Sequence, residues 1–228
     1  MLELIGYPFS PFVRKVMVTL EYKGLEYNHD PLNPFTERER LLKLNPRGAV
    51  PVLIIDGKPM AESADICHWL DEYHPSPAIY SNKPSVKTAI EEKEKWADSE
   101  LASIFGGGLF FQKVIKPLFL KQEGDDERIQ LCMTVKAPEV LDKLELSVPE
   151  EGYACEEFSI ADLAVSGWLR LGMLSGFEIS ESQYPRLVKY LRRVYNIPAY
   201  ACILERENQL EVIQHARKNF AADYEIIE

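Results

Sequence analysis

The sequence has little cysteine and histidine. Its four cysteines and four histidines are scattered, the cysteines lie at least 23 residues apart, and neither a CxxC pair nor an HExxH motif occurs. Zinc sites and dithiol redox centres need ligands at such close spacings. We therefore expect reduced structural thiols and no bound metal.

Long apolar runs and an excess of positive charge are also missing. No stretch approaches the roughly 18 apolar residues of a membrane span, and the N-terminus lacks the basic and apolar regions of a signal peptide. Lys and Arg number 26 against 36 Asp and Glu, a net charge of −10 that disfavours binding to a phosphate backbone. We expect a cytoplasmic protein that binds neither membrane nor nucleic acid, with enough apolar residues, 46% of the chain, to form a core.

The first 75 residues alternate short strand and helix patterns. Strands are predicted at 2–6 and 25–29, and a hairpin is predicted around Asp56-Gly57, a dipeptide suited to a tight turn. Helices are predicted from Val13 to a stop at Gly24, from 35 to 44, and from Glu62-Ser63 to Tyr73, on apolar spacing and on stop signals. The expected order is βαβαββα.

The rest of the chain has helical patterns. Pro75, Pro77 and Pro84 favour a crossing segment, so we predict two domains, 1–80 and 81–228, the second all-helical. Helices are expected near 86–105, 109–121, 126–146, 160–175, 184–195 and 198–219. Glycine weakens helices, so a break at Gly106-Gly107-Gly108 is expected to widen a cleft.

A distinctive run, Tyr7-Pro8-Phe9-Ser10-Pro11-Phe12, joins the first strand to the first helix. Serine before a proline that starts a helix is good N-cap chemistry. The same position suits an anion, because a helix N-terminus carries partial positive charge and unpaired N–H groups, which also stabilise a thiolate.

At these residues the chain resembles the glutathione S-transferase family, in which a βαβαββα thioredoxin-like domain precedes an all-helical domain. The Ser-Pro-Phe run is similar to that of serine-type members, whose serine hydroxyl donates to the sulfur of glutathione. The resemblance therefore implies Ser10 as the catalytic residue. Tyr7 is the alternative, because tyrosine-type members use a phenol near the end of the first strand.

Two further segments resemble the family's glutathione site. Val50-Pro51 is similar to the turn in which a cis proline presents the backbone of the preceding residue to the peptide. Glu62-Ser63 is similar to the pair that receives the γ-glutamyl end, the acid meeting the ammonium and the hydroxyl and helix N–H groups meeting the carboxylate. Taken alone, these residues also fit a trans proline at a strand start and an ordinary helix cap.

Ala49 departs from the family pattern. Many serine-type members have Lys or Gln immediately before the Val/Ile-Pro step, where it binds the glycyl carboxylate. Arg47 is the candidate replacement, with Lys43 and Arg40 as alternatives, although each is also suited to a solvated surface.

The helical half contains one local signature and a set of aromatic candidates. Ser159 and Asp162 have the spacing of a capping box, with Phe158 and Leu163 placed for a hydrophobic staple, so a structural role is expected. The electrophile site is expected to be walled by aromatic side chains, each of which is equally suited to the core: Phe12, Phe105, Phe110 and Phe111.

The resemblance implies a cytosolic glutathione transferase that conjugates glutathione, as co-substrate, to a small apolar electrophile. It also implies a homodimer, a role in detoxification and no permanently bound cofactor. Two alternatives stay open: a non-catalytic or regulatory binding protein, which Ala49 favours, and a glutathione-dependent isomerase or dehalogenase.

Overall fold

The N-terminal part of the chain forms a mixed four-stranded sheet with three helices. In the computed structural model, which describes residues 1–220, the strands lie in the order β2-β1-β3-β4. Strand β1 runs parallel to β2 and antiparallel to β3, and β4 returns antiparallel to β3. The predicted βαβαββα order is confirmed, with the elements β1 (Leu2–Ile5), α1 (Pro11–Tyr22), β2 (Tyr27–Asp30), α2 (Arg38–Leu44), β3 (Val52–Ile55), β4 (Lys58–Ala61) and α3 (Ser63–Tyr73).

Two of these elements begin later than the sequence predicts. Strand β2 starts at Tyr27, because Gly24 adopts a φ of +65° and the N–H of Leu25 closes the end of α1 on the carbonyl of Leu20. Helix α2 starts at Arg38. The segment before α2 is a turn in which the Asn33 side chain accepts from the backbone of Phe35, as asparagine commonly does in turns.

The remainder of the described chain is helical. Its elements are α4 (Pro84–Trp96), a π-helical segment (Ala97–Leu120), α5 (Asp126–Leu131), a short π-helical stretch (Cys132–Lys136), α6 (Ala137–Ser147), α7 (Ile160–Leu174), α8 (Pro185–Tyr195), α9 (Pro198–Asn208) and α10 (Glu211–Phe220). The single helix predicted at 198–219 is thus two helices. Within residues 1–220, no helix has the length and apolar character needed to cross a membrane. Residues 221–228, which the sequence assigns to the second domain, lie outside the described residues.

The predicted break at the three glycines is wrong, because the π-helical segment runs through them without interruption. Close packing accounts for these residues instead. A Cβ on Gly106 would lie 2.7 Å from Cζ3 of Trp168, and one on Gly108 would overlap Sγ of Cys132. The absence of side chains therefore lets this segment approach its neighbours closely, and the helix remains intact.

The capping box at the start of α7 is confirmed. The carboxylate of Asp162 accepts from both the backbone N–H and the hydroxyl of Ser159, at 2.9 and 3.1 Å. The fully buried carboxylate also accepts from the backbone of Ala154 and the hydroxyl of Tyr190. Burying a carboxylate is costly unless its oxygens are hydrogen-bonded, so this set of donors identifies Asp162 as a structural residue.

Two consecutive basic residues of α1 reach different parts of the helical half. The buried guanidinium of Arg14 bonds to the Glu207 carboxylate on α9. The buried ammonium of Lys15 lies 2.6 Å from a carboxylate oxygen of Glu94 and also pairs with Asp98. A continuous apolar core spans both halves of the molecule, so α1 is held to the helical half by packing and by buried charge.

Candidate active site

The sheet brings three loops to one edge. Ile5 at the end of β1 is opposite Val52 at the start of β3, and Val52 is opposite Ala61 at the end of β4. Residues 6–10, 48–51 and 62–63 extend directly from these strand ends. The register therefore collects every segment that the sequence assigns to the glutathione site.

The chain turns sharply as it leaves β1. Gly6 has a φ of +150°, and a Cβ there would lie 2.6 Å from Val13 and 3.1 Å from Val50. Glycine is required for such an approach of backbone to neighbouring side chains. A side chain of α1 also fixes this turn, because Nη2 of Arg14 donates to the carbonyl of Phe9 at 3.0 Å.

Ser10 is the N-cap residue of α1, and Pro11 takes the first helical position. The half-buried Ser10 side chain makes no capping hydrogen bond, unlike most N-cap serines. Its backbone N–H donates to the carbonyl of Tyr7, which fixes the loop. The hydroxyl thus lies at the positive end of a helix and is not engaged in capping it.

Tyr7 lies close to Ser10 in the same loop. Its ring packs edge-on against Phe9, with ring centroids 4.9 Å apart. Burial, followed by the nearby carboxylate of Glu211, raises the pKa of Tyr7 above its ordinary value, so the phenol stays protonated at neutral pH. A protonated phenol can donate a hydrogen bond, and Tyr7 therefore has the chemistry of the alternative sulfur ligand.

The bond between Val50 and Pro51 is cis, as the family turn implies. Across the sheet edge, Glu62 precedes α3 with a φ of +69°, a conformation that costs a non-glycine residue roughly 1–3 kcal/mol. Its carboxylate lies 2.8 Å from Nη1 of Arg47. Ser63 is buried at the first position of α3.

A cavity of about 500 Å³ opens between the two halves of the molecule beside Ser10. Its N-terminal side includes Arg38, Ala49 and Val50, and its helical side includes three aromatic residues, Phe110, Phe111 and Trp168. Among the residues of 1–220 that line it, Arg38 is the one that carries a charge. The lining residues are Tyr7, Phe9, Ser10, Pro11, Phe12, Pro34, Phe35, Arg38, Gly48, Ala49, Val50, Ala102, Gly106, Gly107, Phe110, Phe111, Ile115 and Trp168.

Some of the predicted site residues do not line this cavity. Pro51, Glu62, Ser63 and Arg47 lie at the same sheet edge but outside the lining, and Arg47 is paired with Glu62. Phe105 is fully buried in the core, with its ring 5.9 Å from that of Phe177. The cavity-lining positions of the π-helical segment recur every four or five residues, and Phe105 is not among them.

Arg38 and Trp168 are among the cavity residues that sequence reasoning missed. Arg38 opens α2, and its guanidinium lies beside Gly48, where a Cβ would be 3.2 Å from Nη1. The neighbouring candidate Arg40 instead binds Asp30 and Glu37. Arg38 and Leu42, one helical turn apart, both approach Gly48, a contact that the sequence does not reveal. Trp168 lies on α7, where nearly every residue is buried, so its apolar character alone indicates a core position.

Comparison with known proteins identifies the same family that the sequence motifs resemble. The family models for the glutathione S-transferase N-terminal and C-terminal domains match residues 4–78 and 109–198. A probable glutathione S-transferase of Nicotiana tabacum is 30% identical over 171 residues, 73% of this chain and 70% of the relative. A pyrimidodiazepine synthase of Drosophila melanogaster is 26% identical over 224 residues, 93% of this chain and 85% of that protein.

The fold is similar to that of a solved glutathione S-transferase from Rhodospirillum rubrum. The two superpose with a TM-score of 0.82 at 23% identity, over 90% of this chain and 92% of the other. Similarity at this identity shows the fold, a mixed four-stranded sheet with helices followed by a helical domain.

Proposed function

The chain belongs to the glutathione S-transferase family, and on that premise we propose that it is a glutathione transferase that joins the sulfur of glutathione to an apolar electrophile. One observation carries the proposal. The Ser10 hydroxyl makes no capping bond, yet it stands at the N-terminus of α1, on the lining of a cavity whose helical side includes three aromatic rings. We assign Ser10 the hydrogen bond to the thiolate and keep Tyr7 as the alternative donor.

The energy needed for this activation is modest. A free thiol with a pKa of about 8.5 is roughly 3% thiolate at pH 7, and lowering that pKa by two units needs about 2.7 kcal/mol. A hydrogen bond to a charged group supplies roughly 1.5–3 kcal/mol, and a helix N-terminus adds roughly 0.3–1 kcal/mol. The hydroxyl and the helix together are sufficient, and no base need contact the sulfur. Catalysis then consists mainly of thiol activation and proximity.

We propose that glutathione lies along the sheet edge. The backbone of Val50, held by the cis bond to Pro51, would pair with the peptide, and Glu62 and Ser63 would hold the γ-glutamyl end. In the proposed arrangement Arg47 orients Glu62 through their 2.8 Å ion pair. This leaves the glycyl carboxylate without a partner from Ala49 or Arg47.

We propose Arg38 as the partner of the glycyl carboxylate. Its guanidinium lies beside Gly48 and on the lining of the cavity. Arginine forms charge-assisted, often bidentate hydrogen bonds with carboxylates. The missing charge at Ala49 is then replaced by one from α2.

The wider setting is proposed from the family. We propose a homodimer in the cytoplasm that acts in detoxification. The reaction needs glutathione as co-substrate and an electrophile held against Phe12, Phe110 and Phe111. The division into domains at residues 80 and 81 is part of this proposal, with the first domain binding glutathione and the second supplying most of the electrophile site.

Two alternatives use the same site. Ala49 favours a regulatory or binding protein that has lost efficient transfer. The Drosophila relative bears the name of a different activity, pyrimidodiazepine synthase, which supports keeping an isomerase, a dehalogenase or another glutathione-dependent chemistry open. The activated sulfur would be the same in each case, so the substrate decides among them.

The proposal is tested by binding and by product analysis. Calorimetry measures the affinity for glutathione, and mass spectrometry detects conjugates formed with a panel of aryl halides, alkyl halides and epoxides. Conjugates that require the protein and disappear in the Ser10→Ala, Tyr7→Phe double variant support the transferase. Binding without any conjugate favours the regulatory protein, and absence of binding overturns the proposal.

A further inference from the structure

Trp168 occupies a fixed position at the helical side of the cavity. Its indole Nε1–H donates to Oδ1 of Asp98 at 3.0 Å. Asp98 is held in turn by the ammonium of Lys15, which also binds Glu94. On its other side the indole meets the edge of Phe12, with ring centroids 5.1 Å apart and planes at 81°. A polar contact and an aromatic contact therefore both restrain the ring.

Gly106 packs directly against the indole of Trp168 and leaves no room there for a side chain. A Cβ on Gly106 would lie 2.7 Å from Cζ3 and 3.3 Å from Cε3 of Trp168. Real Cβ atoms essentially never come this close to a neighbouring atom, so a larger residue at this position would force the indole or the helix to shift. Trp168 is only 5% exposed and yet lines the cavity, so a displacement would change the shape of the cavity wall.

We infer that Trp168, positioned by Asp98 and by the absence of a side chain at Gly106, determines the specificity of the electrophile site and selects aryl groups. The lining of the cavity includes several aromatic rings, among them Phe9, Phe12 and Phe110. Aromatic walls favour aromatic partners in offset or edge-on contact. This inference rests on the proposed function, because it assigns a substrate class to the same cavity.

Asp98 is a positioning residue, because it does not line the cavity and affects the cavity wall only through its hydrogen bond to the indole of Trp168. Its two oxygens divide the task, Oδ1 accepting from Trp168 and Oδ2 accepting from Lys15. An asparagine at this position keeps a carbonyl acceptor for the indole, whereas a leucine removes it. Lys15 retains Glu94 as a partner in either variant.

Glutathione and two of its thioethers are the probes for the test. Dissociation constants for glutathione, S-benzylglutathione and S-hexylglutathione are measured by calorimetry on the full chain. In the wild type we expect the benzyl thioether to bind more tightly than glutathione. Gly106→Ala should reduce that advantage about tenfold, since one methyl group in an apolar pocket changes discrimination by that order, with glutathione affinity changed less than about twofold. The affinity for S-hexylglutathione, whose alkyl chain is flexible, should fall less than the affinity for S-benzylglutathione.

Gly108→Ala is the matched control. It overpacks the same segment against Cys132, away from the cavity lining, and should keep the benzyl advantage. Asp98→Asn should also keep that advantage, and Asp98→Leu should lose it, which tests the inference by a second route if Gly106→Ala does not fold.

The outcomes distinguish this inference from the proposed function. A benzyl advantage that survives in both Gly106→Ala and Asp98→Leu overturns the inference and leaves the transferase standing. An equal loss in Gly108→Ala, or no preference for benzyl in the wild type, overturns it as well. A wild type that binds none of the three probes overturns the proposed function together with the inference.

Discussion

Replacement of Ser10 by alanine separates thiol activation from helix stability. At an ordinary N-cap, loss of the serine oxygen costs roughly 0.5–2 kcal/mol of stability because a capping hydrogen bond disappears. The Ser10 hydroxyl makes no such bond. We therefore expect Ser10→Ala to lower the free energy of unfolding by no more than the low end of that range. A change in chemistry in this variant then reflects the site itself.

The expected chemical effect is larger. A hydrogen bond to a charged acceptor is worth roughly 1.5–3 kcal/mol, which corresponds to a rise of about one to two units in the pKa of bound glutathione. The helix N-terminus and Pro11 remain in the variant, so a smaller stabilisation of the thiolate persists. From a wild-type pKa of about 6.5, the thiolate fraction at pH 7 should fall about threefold for a one-unit rise and more than twentyfold for a two-unit rise.

Ultraviolet absorbance of the bound thiolate, titrated across pH, measures this shift. Tyr7→Phe is the control, because it removes the rival phenol and leaves Ser10 in place. A thiolate pKa that is unchanged in Ser10→Ala and raised in Tyr7→Phe would reverse the assignment. An unchanged pKa in both variants would refute the reasoning that a side-chain hydroxyl activates the sulfur.

Three further predictions concern binding, folding and alkaline pH. Arg38→Gln should weaken glutathione binding, measured by calorimetry, at least about tenfold, since one charge-assisted hydrogen bond is worth about 1.5–3 kcal/mol. Arg40→Gln, which removes a partner of Asp30, should leave glutathione binding unchanged. Equal effects of the two substitutions would remove Arg38 from the site. Asp162→Ala should lower the free energy of unfolding, measured by urea titration, by about 3 kcal/mol or more, because it leaves buried donors without their acceptor. A loss under about 1 kcal/mol would contradict this structural role. Burial raises the pKa of the Cys67 thiol to about 12, so the folded chain keeps a proton that the unfolded chain releases above pH of about 8.5, and stability falls as pH rises towards 12. Between pH 9 and 10, urea titrations should show the wild type losing about 1 kcal/mol more than Cys67→Ala, and parallel curves would contradict the buried thiol.

Local patterns explain why much of the fold was predictable. The order of strands and helices follows from apolar spacing and turn residues, which act over a few positions. The capping box of Ser159 and Asp162 is likewise local, since both partners lie within one helical turn. The loop at Ser10 was predictable for the same reason, because the chemistry of an N-cap followed by proline depends on adjacent residues.

Contacts between distant segments explain what the sequence did not reveal. Phe105 and Trp168 are both aromatic residues on apolar helix faces, yet one fills the core and the other lines the cavity. The difference depends on the π-helical spacing and on the close approach at Gly106, neither of which is a local signal. Arg38 and Arg40 differ for a similar reason, since Asp30 on another element binds only Arg40.

The diverging contacts of Arg14 and Lys15 limit how this molecule can be recombined with its relatives. A chimera that joins its first 80 residues to another helical half would bury two cations against whatever that half supplies. Unless the donor also carries carboxylates where Glu94, Asp98 and Glu207 stand, the cations would lose their partners inside the protein, at a cost of roughly 3–5 kcal/mol each. A successful exchange must therefore transfer these acids along with the first half, so the halves are not interchangeable modules.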